Sequence, residues 1–447
     1  MQTTSRRVSI ACGVDIGSTN AKAVAVAASG EVVARSARPT PRGPDQTIDA
    51  ATLLDTIEDM ILEVCGDRWR VATVAVAGVG EDGVLVGRDL MPLTVALPWF
   101  DPRRRAILTR LRPELTDDEA FGVATDAART LVGWAWATRS VGPATAGLRW
   151  LAITDYAAVR WTGRVVLSDT LAARTAAWRL GGGWDADRVR LTLGSTDALP
   201  EVVATGAVLG ALRSPVLDAA GVLSPDAVVV AGGHDHPIGG WGVDRVSPGA
   251  ILDSMGTAEV VVAQSRRALG RRSSGFDLAA GIRSTGSTVL RVEELARNVD
   301  WASADQEVAT AIRRILAGEV PASGIGAELF SPGEAGGGDP RYLDDATMSP
   351  FERATAVLRA VADGGARAVD IVAAATGQAG EVFAAGGWAR STGWLRLKEE
   401  AQSRAIEVVP EPEVTAAGAA ILAATAIGWP VDARRTLGLS GAASAHP

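Results

Sequence analysis

A five-residue turn that occurs twice constrains this chain more than any other feature. Asp15-Ile16-Gly17-Ser18-Thr19 recurs 238 residues later as Asp253-Ser254-Met255-Gly256-Thr257, each time between runs rich in valine and alanine. Short apolar runs around a small-residue turn read as a β-hairpin. A hairpin repeated at that interval divides the 447 residues into two similar halves. The repeat is short, and 50 glycines make chance recurrence the competing explanation.

In the first half, residues 8–33 read as two strands joined by the turn at 15–20, with a second hairpin turn at Ser29-Gly30. Asp49 opens a helical stretch whose Leu53, Leu54, Ile57, Ile61 and Leu62 recur at three- and four-residue intervals, and a strand is expected over 71–79. Residues 143 to about 180 read as predominantly helical, with a turn at Trp161-Thr162-Gly163-Arg164. A strand over 227–231 runs into Gly232-Gly233-His234-Asp235-His236-Pro237, with a helix expected after the proline. Asp235 is thereby placed at the carboxyl end of a strand, where open α/β sheets gather ligands.

After Ser247-Pro248-Gly249 the strand–turn–strand pattern restarts over 251–264. There follow a glycine-rich loop at 333–338, a helix over 350–375, and a strand leading to Ala385-Gly386-Gly387-Trp388-Ala389. A helix through Leu395 and Lys398, a strand over 406–409, a helix from 415 to about 425 and a frayed tail from Ser440 complete the chain. The expected boundary lies near residue 247, giving domains of 1–247 and 248–447.

Composition narrows the function classes. With 47% apolar residues the chain is far from the disordered range, and a net charge of −8 removes the electrostatic basis for binding nucleic acid. No apolar run approaches the roughly 18 to 20 residues of a membrane span. Cys12 and Cys65 give neither a disulfide framework nor metal-ligand spacing, so a reducing cytoplasmic compartment is the simplest expectation. Positive charge is almost all arginine, since lysine occurs only at positions 22 and 398.

Asp15, Gly17, Ser18 and Thr19 offer closely spaced backbone N–H groups, two hydroxyls and a carboxylate. Phosphate oxygens need the donors, and a phosphate-bound Mg²⁺ needs the carboxylate, directly or through water. Lys22 either adds charge there or points to solvent. An ordinary tight turn is the bland alternative, but two such turns facing each other would clamp a polyphosphate. Neither is a Walker A sequence nor a GxGxxG fingerprint. Gly386-Gly387, after a strand and before a helix, suits close approach of a flat ligand such as adenine, or simply a turn needing unusual φ.

Taken in order, Asp15 to Lys22, Trp99-Phe100-Asp101-Pro102-Arg103, Gly232-Gly233-His234-Asp235, Asp253 to Thr257 and Gly386 to Ser391 resemble the FGGY carbohydrate kinases. Trp161 to Arg164, Leu199-Pro200-Glu201 and Arg359 to Gly364 extend the likeness over nearly the whole chain. The resemblance implies an α/β fold of two actin-like, ribonuclease-H-like domains with ATP and sugar in a central cleft. It implies an ATP- and Mg²⁺-dependent kinase acting on a small-molecule sugar, such as a pentulose, or a polyol. Asp235 would be the general base and Asp15 the Mg²⁺ carboxylate. Gly17, Ser18, Thr19, Asn20 and Lys22, with Gly256 and Thr257, would cradle phosphates, and Gly386, Gly387, Trp388 and Ala389 would form the adenosine turn. Glu81, Asp82, Trp99, Asp101, Arg103 and His236 fall on the acceptor side.

The chain departs from the family where Trp388 replaces a frequent third glycine and where Gly333-Glu334-Ala335 shortens a usual passage. His234 and His236 supply at most two metal ligands, too few for a site. A non-catalytic sensor retaining the fold is the alternative reading, against which the presence of both Asp15 and Asp235 argues. An ATPase or chaperone on the same scaffold leaves Trp99 to Arg103 unexplained. The oligomeric state stays open, a homodimer included.

Overall fold

The computed structural model describes residues 7–142, 147–322, 326–333, 338–343, 347–378, 380–402 and 404–439. Its first six-stranded sheet comprises β1 (Val8–Ile16), β2 (Asn20–Ala27), β3 (Val32–Pro39), β4 (Trp69–Gly78), β5 (Val208–Ala211) and β6 (Leu223–His234), in the spatial order β3-β2-β1-β4-β6-β5. The second comprises β7 (Ile251–Met255), β8 (Ala258–Ser265), β9 (Asp277–Ala280), β10 (Ser287–Glu294), β11 (Val382–Ala385) and β12 (Ile406–Val408), ordered β9-β10-β8-β7-β11-β12. In each sheet three antiparallel strands lead into two parallel ones: β1-β2-β3 then β4 and β6, and β7-β8-β10 then β11 and β12. The duplicated hairpin is thus the opening of a duplicated sheet.

Helices repeat as well. In the first half these are α1 (Ala50–Cys65), α2 (Ile153–Thr162) and α3 (Asp235–Asp244); in the second, α4 (Pro350–Thr376), α5 (Thr392–Ala401) and α6 (Val414–Ala426). Asp49 caps α1 by accepting the Thr52 N–H, and α1 lies over β2 and β3, with Leu53, Ile57 and Ile61 of its apolar stripe in the core that also holds Ile10, Cys12 and Val14 of β1. A Ser349–Glu352 capping box starts α4, and Gly377 in the left-handed region (φ 67°) ends it. The valine-rich central strands are buried on both faces because helices cover both.

The last long helix of each half crosses over. α3 follows the first sheet but packs against β8 and β7 of the second, and α6 packs back against β1 and β4 of the first. The two helices pass each other where a Cβ on Gly242 would lie 3.3 Å from the Gly418 Cα. A Cβ on Gly13 would overlap the Ala416 carbonyl, so β1 also needs glycine where α6 lies across it.

Two local expectations change. Residues 143 to about 180 are not one helical stretch: Arg149–Ala152 pairs antiparallel with Gly83–Val86, and Val166–Ser168 pairs parallel with Glu201–Val203, around α2. Those partners are distant in sequence, so no local periodicity announces them. The helix expected after Pro237 begins at Asp235, with the proline inside its first turn, where a missing N–H costs no intrahelical bond. Residues 143–146, Glu334 to 337 of the glycine loop, and the tail from Ser440 lie outside the described residues.

Gly13→Ala is expected to destabilise the protein by about 1 to 3 kcal/mol through overpacking against α6. Urea unfolding monitored by tryptophan fluorescence checks this; an unchanged midpoint would show that α6 shifts at no cost.

Candidate active site

Between the two sheets lies a cleft of about 1740 Å³. Its first-half lining includes Asp15, Gly17 to Asn20, Lys22, Glu81 and Trp99 to Pro102, and the second half supplies Gly256, Thr257, Gly386 and Gly387. His234, Asp235 and His236 line it at the β6–α3 junction. The two repeated turns therefore meet in one site.

In the first turn the Gly17 N–H donates to the Asn20 carbonyl (3.0 Å), and in the second the Gly256 N–H donates to that of Ala258 (2.9 Å). Both glycine donors are consumed in closing their own turns. The Ser18 carbonyl accepts from Arg42 Nε (3.1 Å) and Nη2 (2.6 Å), and Ser18 Oγ accepts from Trp99 Nε1 (3.0 Å). Trp99 thus ties its wall of the cleft to the first repeated turn.

Asp15, at the end of β1, is buried, and its Oδ1 has no hydrogen-bond partner among the described residues. Lys22 sits directly across the β1–β2 pair, its Nζ 3.8 Å from Asp15 Oδ2 and 3.1 Å from Glu413 Oε2. Glu413 precedes α6 and arrives from the second half. Burial raises the Asp15 carboxyl to about 7, with Lys22 opposing and Asp235 and Glu413 adding to the rise.

Asp235 occupies the first turn of α3, with its Oδ1 accepting the His236 N–H at 2.7 Å. The Nε2 atoms of His234 and His236 lie 3.2 and 3.7 Å from the same oxygen. Burial raises the Asp235 carboxyl above its ordinary value. Burial also holds His234 well below the usual imidazole range, with the Arg174 charge next in weight, so this ring is neutral.

Four residues expected in the site do not line it. Asp82 is fully buried 3.4 Å from Arg104 Nη2, whose guanidinium donates to the carbonyls of Leu97, Pro98 and Ala128; burial raises the Asp82 carboxyl to about 7. Arg103 turns outward, closing on Asp101 (Nη2 to Oδ2, 2.8 Å) and 3.6 Å from Asp45, so the Asp101 carboxylate lining the cleft is already engaged. Trp388 packs edge-on against Trp394 at 5.3 Å, and Ala389 is buried in the core. Gly386 and Gly387 alone of that turn face the cleft. Gly386 is required there, because at φ 92° any Cβ would overlap the Met255 carbonyl.

Glu81, expected in the site, lines the cleft, but its partners Arg174, Arg129 and Asp277 were invisible to sequence reasoning. Glu81 Oε1 accepts from Arg174 Nε (2.7 Å) and lies 3.6 Å from Arg129 Nη1, while Arg174 Nη1 reaches Asp277 Oδ2 of the second half at 3.0 Å. No motif links residues so far apart in the chain. Asp253, the counterpart of Asp15, is buried away from the cleft, where it and Glu259 share Lys398.

The sequence model of the FGGY family of carbohydrate kinases, N-terminal domain, matches residues 10–242. The chain belongs to the FGGY family of carbohydrate kinases. The chain is 23% identical over 263 residues to the gluconokinase of Bacillus subtilis (strain 168), a match covering 56% of this chain and 50% of that protein. With the xylulose kinase of Klebsiella pneumoniae it shares 25% identity over 380 residues, 80% of this chain and 78% of the relative. The crystal structure of xylulose kinase from Rhodospirillum rubrum superposes with a TM-score of 0.82 at 22% identity, covering 96% of this chain and 92% of that one. The fold of two actin-like domains therefore extends beyond the matched N-terminal stretch. Among the described residues no helix is long and apolar enough to cross a membrane.

Because Asp82 ionises only near pH 7 when folded, but near its ordinary 3.8 when unfolded, its ionisation opposes folding increasingly as pH rises between those values. Asp82→Asn removes that effect and leaves Arg104 charged throughout. The variant's stability deficit is expected to shrink from pH 5 to pH 8, by on the order of 1 kcal/mol. Thermal unfolding at both pH values checks this, and a deficit that grows with pH would refute it.

Proposed function

We propose that this protein is an ATP-dependent carbohydrate kinase that transfers the γ-phosphate to a hydroxyl of a sugar, such as a pentulose, or of a polyol, with Asp235 as general base. The observation that carries this reading is the Asp235 carboxylate facing a cleft flanked by both repeated turns. The acceptor hydroxyl passes its proton to Asp235 as its oxygen bonds to the γ-phosphorus and the bond from phosphorus to the ADP oxygen breaks. Positioning and electrostatics supply most of such a transfer, and the base contributes a factor of about 10² to 10⁴.

The hydroxyls of Ser18, Thr19 and Thr257 and their backbone N–H groups are the donors for phosphate oxygens, since the Gly17 and Gly256 N–H groups close the turns. Gly386 and Gly387 give the open backbone for the adenosine. The unpartnered Oδ1 of Asp15 suits Mg²⁺. No group of three or more acidic, histidine or cysteine side chains that could hold a metal occurs among the described residues, which fits an ion held jointly with substrate phosphates. When bound, Mg²⁺ would offset the charge that develops on those phosphates. The halves divide near residue 247, and their closure would exclude water from the transfer.

Transfer of labelled γ-phosphate across a panel of ketoses, aldoses and polyols tests the reading. Asp235→Asn is expected to lower kcat by about 10² to 10⁴, and full activity in the variant would sink the assignment. Asp235 must be ionised to act and burial raises its pKa, so kcat/KM should rise with pH along a limb centred above the ordinary carboxylate value. A limb centred at or below that value would count against it.

A further inference from the structure

The acceptor end of the cleft carries a charge pattern that selects among sugars. A Cβ on Gly80 would fall 2.7 Å from Arg174 Cγ and 2.8 Å from His234 Cδ2, which places Arg174 beside the Asp235 segment. Every side of its guanidinium is engaged: Nε and Nη2 meet Glu81 Oε1 at 2.7 and 2.6 Å, and Nη1 meets Asp277 Oδ2 at 3.0 Å. Arg129 is similarly taken up, with Nη2 at 2.6 Å from Asp126 and 3.9 Å from Asp277, and Nη1 at 3.6 Å from Glu81. Two buried guanidiniums thus face three carboxylates, and Asp235 adds a fourth. Arg272 of the second half, also buried in the lining, is paired with Asp117 (Nη2 to Oδ2, 2.8 Å), and the first-half Arg105 and Arg112 are exposed, where water and salt screen them.

We propose that this pocket accepts neutral polyhydroxy sugars and rejects aldonic acids, with Arg174 the positioning residue that fixes Glu81 Oε1 and leaves Oε2 to receive an acceptor hydroxyl. A carboxylate entering here meets an excess of negative charge and, among the described residues, buried guanidiniums that are each already paired with a carboxylate, and like-charge juxtaposition is strongly unfavourable when desolvated. A hydroxyl donates to Glu81 without adding charge. Asp277 belongs to the second half, so the balance that sets this preference is completed only when the two halves meet.

The inference rests on the acceptor end of the kinase reading, and it is tested by binding, scored apart from transfer. Calorimetric titration of the full chain compares D-xylulose and xylitol with D-xylonate, and D-fructose and D-glucitol with D-gluconate. At least one neutral ligand is expected to bind about 100-fold or more tightly than the aldonate of equal chain length. Glu81→Gln removes one carboxylate and loosens Arg174, and should shift that ratio about tenfold or more toward the aldonate. Asp277→Asn releases the same guanidinium from its other side and should shift the ratio in the same direction, which covers a Glu81→Gln protein that does not fold. Aldonates binding as tightly as neutral sugars, no binding of either kind, or variants that weaken both ligands equally would overturn the proposal. A protein that binds neutral sugar selectively yet transfers no phosphate would keep this inference and lose the kinase reading.

Discussion

The close passage of α3 and α6 is the constraint on which the rest of the molecule depends. Each is the last long helix of one half and packs on the sheet of the other, and they cross at Gly242 and Gly418, where side chains would keep the helices apart. Small residues at a crossing let two backbones approach, and the apolar area buried on both sides then joins the sheets through one continuous core. The functional consequence lies at the N-termini. Asp235 opens α3 and Glu413 precedes α6, so the crossing that fuses the two halves also delivers a carboxylate from each to the floor of the cleft.

The repeat has diverged around its aspartates, and the scarce lysines record how. Lys22 stands across from Asp15 and faces the cleft with it. Lys398 lies 2.9 Å from Asp253 and is paired also with Glu259, all three fully buried. Burial, with Asp253 next in weight, holds the Glu259 carboxyl well above its usual range. That rise favours the protonated form of Glu259, which lowers the negative charge that the buried cluster carries beside Lys398. A Cβ on Gly365 of α4 would overlap Glu259 Oε1 and Lys398 Nζ, so the helix backbone seals the cluster. One copy of the turn keeps its carboxylate in the cleft lining; the other has turned its carboxylate into a fixture of the core.

Legibility followed the range of the interactions. The duplicated hairpin, the helix capped by Asp49, the long α4 and the strand end before Asp235 are set by local periodicity and capping, and all are present. The alternation of short strands and helices between 149 and 168 depends on partners at 83–86 and 201–203 and reads locally as helix. The same division runs through the site. Turn residues 15 to 20 and 254 to 257 could be read because a turn is a local object. Asp82 was misplaced because adjacent residues of a turn point in different directions, and only the buried Arg104 reveals which way this one faces. Glu81, Arg174 and Asp277 meet across three distant segments, and no spacing rule connects them.

The same geometry bears on how an acceptor and a nucleotide could be aligned. Trp99 holds Ser18 of the first repeated turn, and Arg42 holds the carbonyl of that residue, so the cleft wall at Trp99 and this turn form one connected body. The second turn and Gly386 stand on the other sheet. Asp235 belongs to neither body alone, since β6 behind it is a strand of the first sheet while α3 ahead of it packs on the second. A residue at such a junction is displaced least when the two bodies rotate about it. On the proposed reading, closure would change the distance from the nucleotide to the acceptor while leaving the base close to the hydroxyl it must deprotonate. That is the economical place for a base in a reaction whose rate depends on holding two substrates in line.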